Sequence, residues 1–249
     1  MFTYLFIFKN YIILMRKSLY KRKEVIEQHR KGAALLKDFI LGGQDGLVNV
    51  LGIILGMAIG TNSPKIVILA GLTAMFAESV SMAAVAYTST KAESDYYKSQ
   101  EELEDIEIEK YPETEKKEIY NIYYKKGFRG ELLNKIVKNI TSDKKRWKDI
   151  MMKEELGLSN EFNNPVKSTI IVFLSSLLGS MIPLISFFFL PIYLAIIFSV
   201  IISAIALFIT GSIEGKLTYQ NWIYKGFQLM LIGLAAALVG YIIGKVTGL

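Results

Sequence analysis

Five stretches of this chain are each about 20 residues long and almost free of charge, which is the length a helix needs to cross the hydrocarbon region of a bilayer. They run Phe39–Ile59, Ile66–Tyr87, Thr169–Leu190, Pro191–Thr210 and Ile223–Val246. Charge is concentrated elsewhere, in residues 1–37 and 90–167. Such segregation predicts an all-α integral membrane protein with five transmembrane helices and a helical polar domain inserted between the second and third spans. The expected divisions are 1–37, a basic cytoplasmic or interfacial segment; 38–89, spans one and two; 90–167, the polar domain; and 168–249, spans three to five. Pro191 falls near the middle of a forty-residue apolar run and marks a tight hairpin between spans three and four.

Orientation follows from cations. Residues 1–37 carry nine Lys and Arg, whereas the turn between the first two spans carries only Lys65. Positive flanks stay inside, so the amino terminus and the polar domain are expected in the cytoplasm, and five crossings place Leu249 outside. The opening "MFTYLFIFKNYIILM" is too short to span. It reads as an interfacial helix, or as an upstream extension if translation starts at Met15 rather than Met1. His29 reads as an interfacial polar residue. The formal charge of +6 comes from this flank, which argues for a topogenic signal and against nucleic-acid binding.

The polar domain reads as four helices. The second span continues into Lys91–Lys110 without a breaker. Pro112 then opens a helix through Glu113–Lys126 that Gly127 ends, and a third runs over Gly130–Ile140. A fourth, Asp143–Leu156, is capped by Thr141 or Ser142 and closed by Gly157. Glu104 and Glu107 share one helical face, as do Glu115 and Glu118, and the turn at Pro112 can bring the two pairs together. Met151 and Glu155 share a face of the fourth helix. Carboxylates with a thioether suit Fe²⁺ or Mn²⁺ better than Mg²⁺ or Ca²⁺. The competing reading is that these glutamates only solvate helix faces in a segment with 17 acidic and 16 basic residues.

The spans themselves hold ionisable groups. Asp45 is followed one turn later by Asn49, and the second span carries Met75, Glu78 and Met82 on one stripe. A carboxylate at the middle of a bilayer costs roughly 2.5 to 3.5 kcal/mol on insertion scales, and such residues usually face an interior or a water-filled path. The short turn after the first span makes spans one and two antiparallel neighbours, so Asp45 and Glu78 are candidates for a cation pathway that exchanges protons for metal. The alternative is a packed pair of protonated acids. Gly52, Gly56 and Gly60 recur every four residues, as do Ala236, Gly240 and Gly244, and read as packing faces that include a possible subunit interface. Gly42, Gly43 and Gly46 are expected to loosen the helix beside Asp45. Glu214 reads as a solvated residue of an inner turn.

With no cysteine and one histidine, thiolate sites, thiol catalysis and a di-iron centre built on two Glu-x-x-His pairs are excluded. No nucleotide-binding loop or catalytic triad occurs, so no enzymatic activity and no cofactor are expected.

The motifs "GGQDGLVNVLG", "AGLTAMFAESVSMAAVAYTSTKAE", "YPETEKKEIYNIYYKKGF" and "WKDIMMKEELGL", with the end "GKLTYQNWIYKGFQLMLIGLAAALVGYIIG", resemble the vacuolar iron transporter family of ferrous-ion exporters over about Lys37 to Gly248. The resemblance implies a homodimer whose ion path lies between the two first spans. It also implies a cytoplasmic domain that collects metal. It assigns Asp45 and Met82 to the path, and Glu104, Glu107, Glu115, Glu118, Met151 and Glu155 to the metal domain. Gln44 stands where the family usually has Asn. Ala86 stands where many members have a Glu, a role that Glu78 is expected to take. The function implied is export of Fe²⁺, and of Mn²⁺ with it, from the cytosol in exchange for protons, with Co²⁺ and Zn²⁺ as further candidate ions. The partners are membrane lipid, divalent metal ions and protons. With neither a targeting peptide nor a vacuolar signal read in the chain, a prokaryotic cell membrane is the expected location. The alternative function is a membrane-anchored iron-binding or sensing protein that does not transport.

Overall fold

The computed structural model describes residues 35–159 and 164–248, all of them helix, turn or connecting segment. The expectations for residues 1–34, His29 among them, lie outside the described residues. Five helices are long and apolar enough to cross a membrane: α1 (Leu35–Thr61), α2 (Pro64–Lys110), α6 (Pro165–Phe189), α7 (Ile192–Leu217) and α8 (Trp222–Thr247). Between α2 and α6 lie α3 (Pro112–Lys125), α4 (Gly130–Thr141), α5 (Lys144–Ile150) and a wide π-type turn, Met151–Glu155. The described residues divide into two compact units, one of residues 35–87 and 166–248 and the other of residues 88–159 with 164 and 165. As expected, α2 continues without a break for 47 residues.

In the membrane unit, apolar packing joins Val50, Ile54 and Ala58 of α1 to Val67 and Met75 of α2, Leu184 and Phe187 of α6, and Ala195 of α7. Met75 is therefore a core residue rather than part of an open stripe. Small residues set the closest approaches, since helices in lipid associate through backbone-to-backbone packing rather than a hydrophobic drive. Gly52, Gly56 and Gly60 of α1 face Ala236, Gly240 and Gly244 of α8, and a Cβ on Gly240 would stand 2.1 Å from the Gly52 carbonyl oxygen. Within the chain, this is the packing face that the four-residue glycine spacing anticipated.

Gly42, Gly43 and Gly46 correct an expectation. They do not loosen α1, which is helical throughout. They admit α6 instead: a Cβ on Gly42 would lie 2.3 Å from Ser175 Oγ, and one on Gly46 would lie 2.5 Å from the Ser176 carbonyl oxygen. Serines fill this contact because their small side chains permit it, and Ser79 of α2 joins them with its Oγ 3.2 Å from Ser176 Oγ. Pro183 sits inside α6, and the hairpin falls at Leu190–Pro191, where the proline reading had placed it. The neighbouring Ser199 donates to the Pro183 carbonyl at 2.7 Å. Asn221 caps α8 by accepting from the Ile223 and Tyr224 amides at 3.0 and 3.3 Å. Glu214 also differs from expectation. It belongs to the last turn of α7, is half-buried, and lies 3.5 Å from Lys225 of α8.

In the second unit the core is Ile108, Ile119, Ile140, Trp147 and Met151. Its boundaries follow the local chemistry. Pro112 opens α3, Gly127 turns the chain with a φ of +99° and Gly157 ends the wide turn at +65°. Two details depart from the sequence reading. Asp143, not Thr141 or Ser142, caps the fourth helix, its carboxylate accepting from the Arg146 amide at 2.8 Å. The expected Asp143–Leu156 helix is two pieces, because after Ile150 the backbone widens so that the Leu156 amide donates to the Met151 carbonyl at 3.3 Å. An inserted residue of this kind frequently marks a functional position.

Candidate metal sites

The second unit gathers the carboxylates the spacing had grouped. Glu104 and Glu115 are almost wholly buried, with 4% and 5% of their surfaces exposed. One oxygen of each carboxylate is buried with no hydrogen-bond partner. An unpaired buried acid is costly, and the fold holds several close enough to repel one another. Burial raises Glu104 to a pKa of about 7, with further repulsion from Glu155, Glu115, Glu107 and Glu118. Glu155 keeps an exposed edge, yet burial of its carboxyl and repulsion by Glu118, Glu115 and Glu107 lift it to about 7 as well. Glu115 is shifted upward by burial, then by Glu118 and Glu107. These mutual effects join all five glutamates into one cluster.

The surrounding cations are engaged elsewhere. Among the described residues, Lys144 and Lys148 pair with Glu101, Asp105 and Glu109, and Lys126 pairs with Glu154. No ion pair among the described residues reaches Glu104, Glu107, Glu115, Glu118 or Glu155. The reading in which these acids only solvate helix faces does not account for two of them being buried without partners. Met151 has no exposed surface and packs in the apolar core beside Ile108 and Ile119. Met152, adjacent to it and also buried, was not singled out from sequence; the Met-Met doublet was its only signal. Among the described residues, no three or more His, Cys, Asp or Glu side chains already surround a common point as a metal ion would require.

In the membrane unit, Asp45 and Asn49 are the side chains that act on the Glu78 carboxyl. The antiparallel α1–α2 pair thus brings Glu78 of the second span beside Asp45 and Asn49 of the first. Glu78, Asp45 and Met82 are half-buried. Asn49 is exposed and lines a groove of about 550 Å³ between α1 and α8, floored by Gly52, Gly56, Gly240 and Gly244. Asp45 and Glu78 are not among the groove's lining residues.

Residues 36–245 match the model of the VIT family. Among curated relatives, vacuolar iron transporter 1 of Tulipa gesneriana is 31% identical over 222 residues, covering 88% of this chain and 90% of that protein. Vacuolar iron transporter 1 of Arabidopsis thaliana is 29% identical over 222 residues, with 88% and 89% covered. The vacuolar iron transporter of Plasmodium falciparum is 33% identical over 231 residues, with 88% and 85% covered.

Proposed function

Because this chain belongs to the VIT family, a family of transporters and not of enzymes, we propose that it exports Fe²⁺, and Mn²⁺ with it, from the cytosol across the cell membrane in exchange for protons. The observation that carries this reading is the meeting of Asp45, Glu78 and Asn49 between two membrane-spanning helices. An anchor gains nothing from two carboxyls held together there at a cost of kilocalories per group. A cation path does, because a divalent ion can replace the proton that lets neighbouring acids coexist.

The helical unit of residues 88–165 is the cytoplasmic collecting site in this scheme. Glu104, Glu107, Glu115, Glu118 and Glu155 offer hard oxygen ligands, and Met151 offers a softer sulfur. That donor set favours Fe²⁺ and Mn²⁺, admits Co²⁺ and Zn²⁺, and discriminates against Mg²⁺ and Ca²⁺. Asp45 and Glu78 accept the ion within the membrane, Asn49 supplies a neutral oxygen, and Met82 favours softer ions. A homodimer places the α1 faces of two copies together, which agrees with Asn49 being exposed on α1.

Fe²⁺ flux into liposomes, followed with a trapped chelator dye under anoxic conditions, tests the proposal. Asp45→Ala is expected to reduce flux to the protein-free background. Wild-type flux in that variant would overturn the role of Asp45, and wild-type protein giving no more than the protein-free background would overturn the transport reading and leave a metal-binding protein with a membrane anchor.

A further inference from the structure

We infer that Lys148 and Asp105 are positioning residues for the carboxylate cluster, clamping the Met151–Glu155 turn against α2. The inference rests on the metal-site reading above and adds residues that bind no metal themselves.

The turn is the one part of the cluster that is not regular α-helix. The other four glutamates sit on the regular helices α2 and α3, whereas Met151 and Glu155 sit on five residues of widened backbone with long 3.3 Å closure at Leu156. Burial of Met151 and Met152 anchors one face of the turn, and ion pairs from neighbouring elements hold it further. Lys148 lies one helical turn before Met151, and its side chain is only 17% exposed. Its Nζ is 2.8 Å from Asp105 Oδ2 and 3.2 Å from Glu101 Oε1. Asp105 is the immediate neighbour of Glu104. The Lys148–Asp105 pair therefore joins the chain just ahead of Met151 to the chain just beside the most buried acid. Lys144 adds to the same seam, with Asp105 at 3.6 Å and an ion pair to Glu109. The far side of the turn is held by Lys126, which pairs with Glu154. The partly buried ammonium carries more weight than an exposed surface pair, because it is screened less.

The sign of a charge-removing substitution separates the clamp from simple electrostatics. Lys148 is a cation near a cation site, so by charge alone Lys148→Gln tightens metal binding. The clamp requires the opposite. Full-length protein in detergent is titrated with Fe²⁺ under anoxic conditions by calorimetry. Lys148→Gln and Asp105→Asn are each expected to weaken binding roughly tenfold, the usual scale for residues that orient ligands. The double variant is expected to weaken it no further, and Lys148→Arg to keep wild-type affinity. Amide hydrogen exchange is expected to rise over residues 151–158 and stay unchanged in α4. Unchanged or tighter binding in Lys148→Gln, with binding lost in Glu104→Gln/Glu155→Gln, overturns the clamp and leaves the metal site standing. Wild-type binding in Glu104→Gln/Glu155→Gln overturns the metal site itself. If Lys148→Gln does not fold, Asp105→Asn decides by exchange, and unaltered protection over residues 151–158 refutes the inference.

Discussion

At the scale of single residues, the second unit is marked by acids whose protons are held by burial and by one another's charge. Glu104 and Glu155 both titrate at about 7 in the fold against an ordinary value of 4.5. Between those values the folded unit holds protons that the unfolded chain has released. Their contribution to stability is therefore complete below about pH 4.5 and is lost as pH rises through 7. The metal-free protein is expected to melt at a higher temperature at pH 5.5 than at pH 7.5, and the difference is expected to shrink in Glu104→Gln/Glu155→Gln. In the proposed site protons and metal would compete for the same oxygens, so Fe²⁺ affinity measured by calorimetry is expected to fall as pH drops below 7. Met151 presents a separable question, because it is at once a core residue and a candidate ligand. Met151→Leu conserves volume and is expected to cost less than about 1.5 kcal/mol in denaturant unfolding. Met151→Ala is expected to cost about 2 to 5 kcal/mol. If the sulfur is a ligand, both variants lower the preference for Fe²⁺ over Mg²⁺, and only the second also loses stability.

At the scale of elements, helix contacts are decided by what is missing from the side chains. Along α1, glycines on one face admit α6 and glycines on another admit α8. This double use leaves the remaining arc of α1 to carry Asp45 toward α2 and Asn49 outward. A larger residue in either seam forces the backbones apart. Gly240→Leu, whose Cβ would start 2.1 Å from the Gly52 carbonyl oxygen, is expected to destabilise the membrane unit by about 1 to 3 kcal/mol or more. The variant is expected to lower the melting temperature of the detergent-solubilised protein, while leaving Fe²⁺ binding at the site proposed in the second unit unchanged. The two units have separate cores, which makes that separation measurable.

For the whole molecule, the proposed topology has a direct check because the chain contains no cysteine. Single cysteines at Ser63 and Ser142 are expected to react with a membrane-impermeant maleimide from opposite sides of the bilayer, Ser142 only once the cytoplasmic face is exposed. Labelling of both from one side would overturn the orientation drawn from the cation count. Much of the architecture was legible in the chain because its determinants are local. Five apolar runs of bilayer length are a property of consecutive residues, and each breaker (Pro112, Gly127, Gly157, Pro191) acts on its own turn. The pairs Glu104 with Glu107 and Glu115 with Glu118 were legible for the same reason, since spacing on a helix fixes which residues share a face, whereas the place of Glu155 beside them came from the family resemblance. Tertiary structure decided the rest. It settled that Gly42, Gly43 and Gly46 make room for α6, that Met75 is core, and that Lys148 reaches across to Asp105. It also buried Glu104 and Glu115 and left them unpaired. These outcomes depend on which faces meet and how closely, and a carboxylate's pKa or a glycine's purpose is set by neighbours that lie far away along the chain.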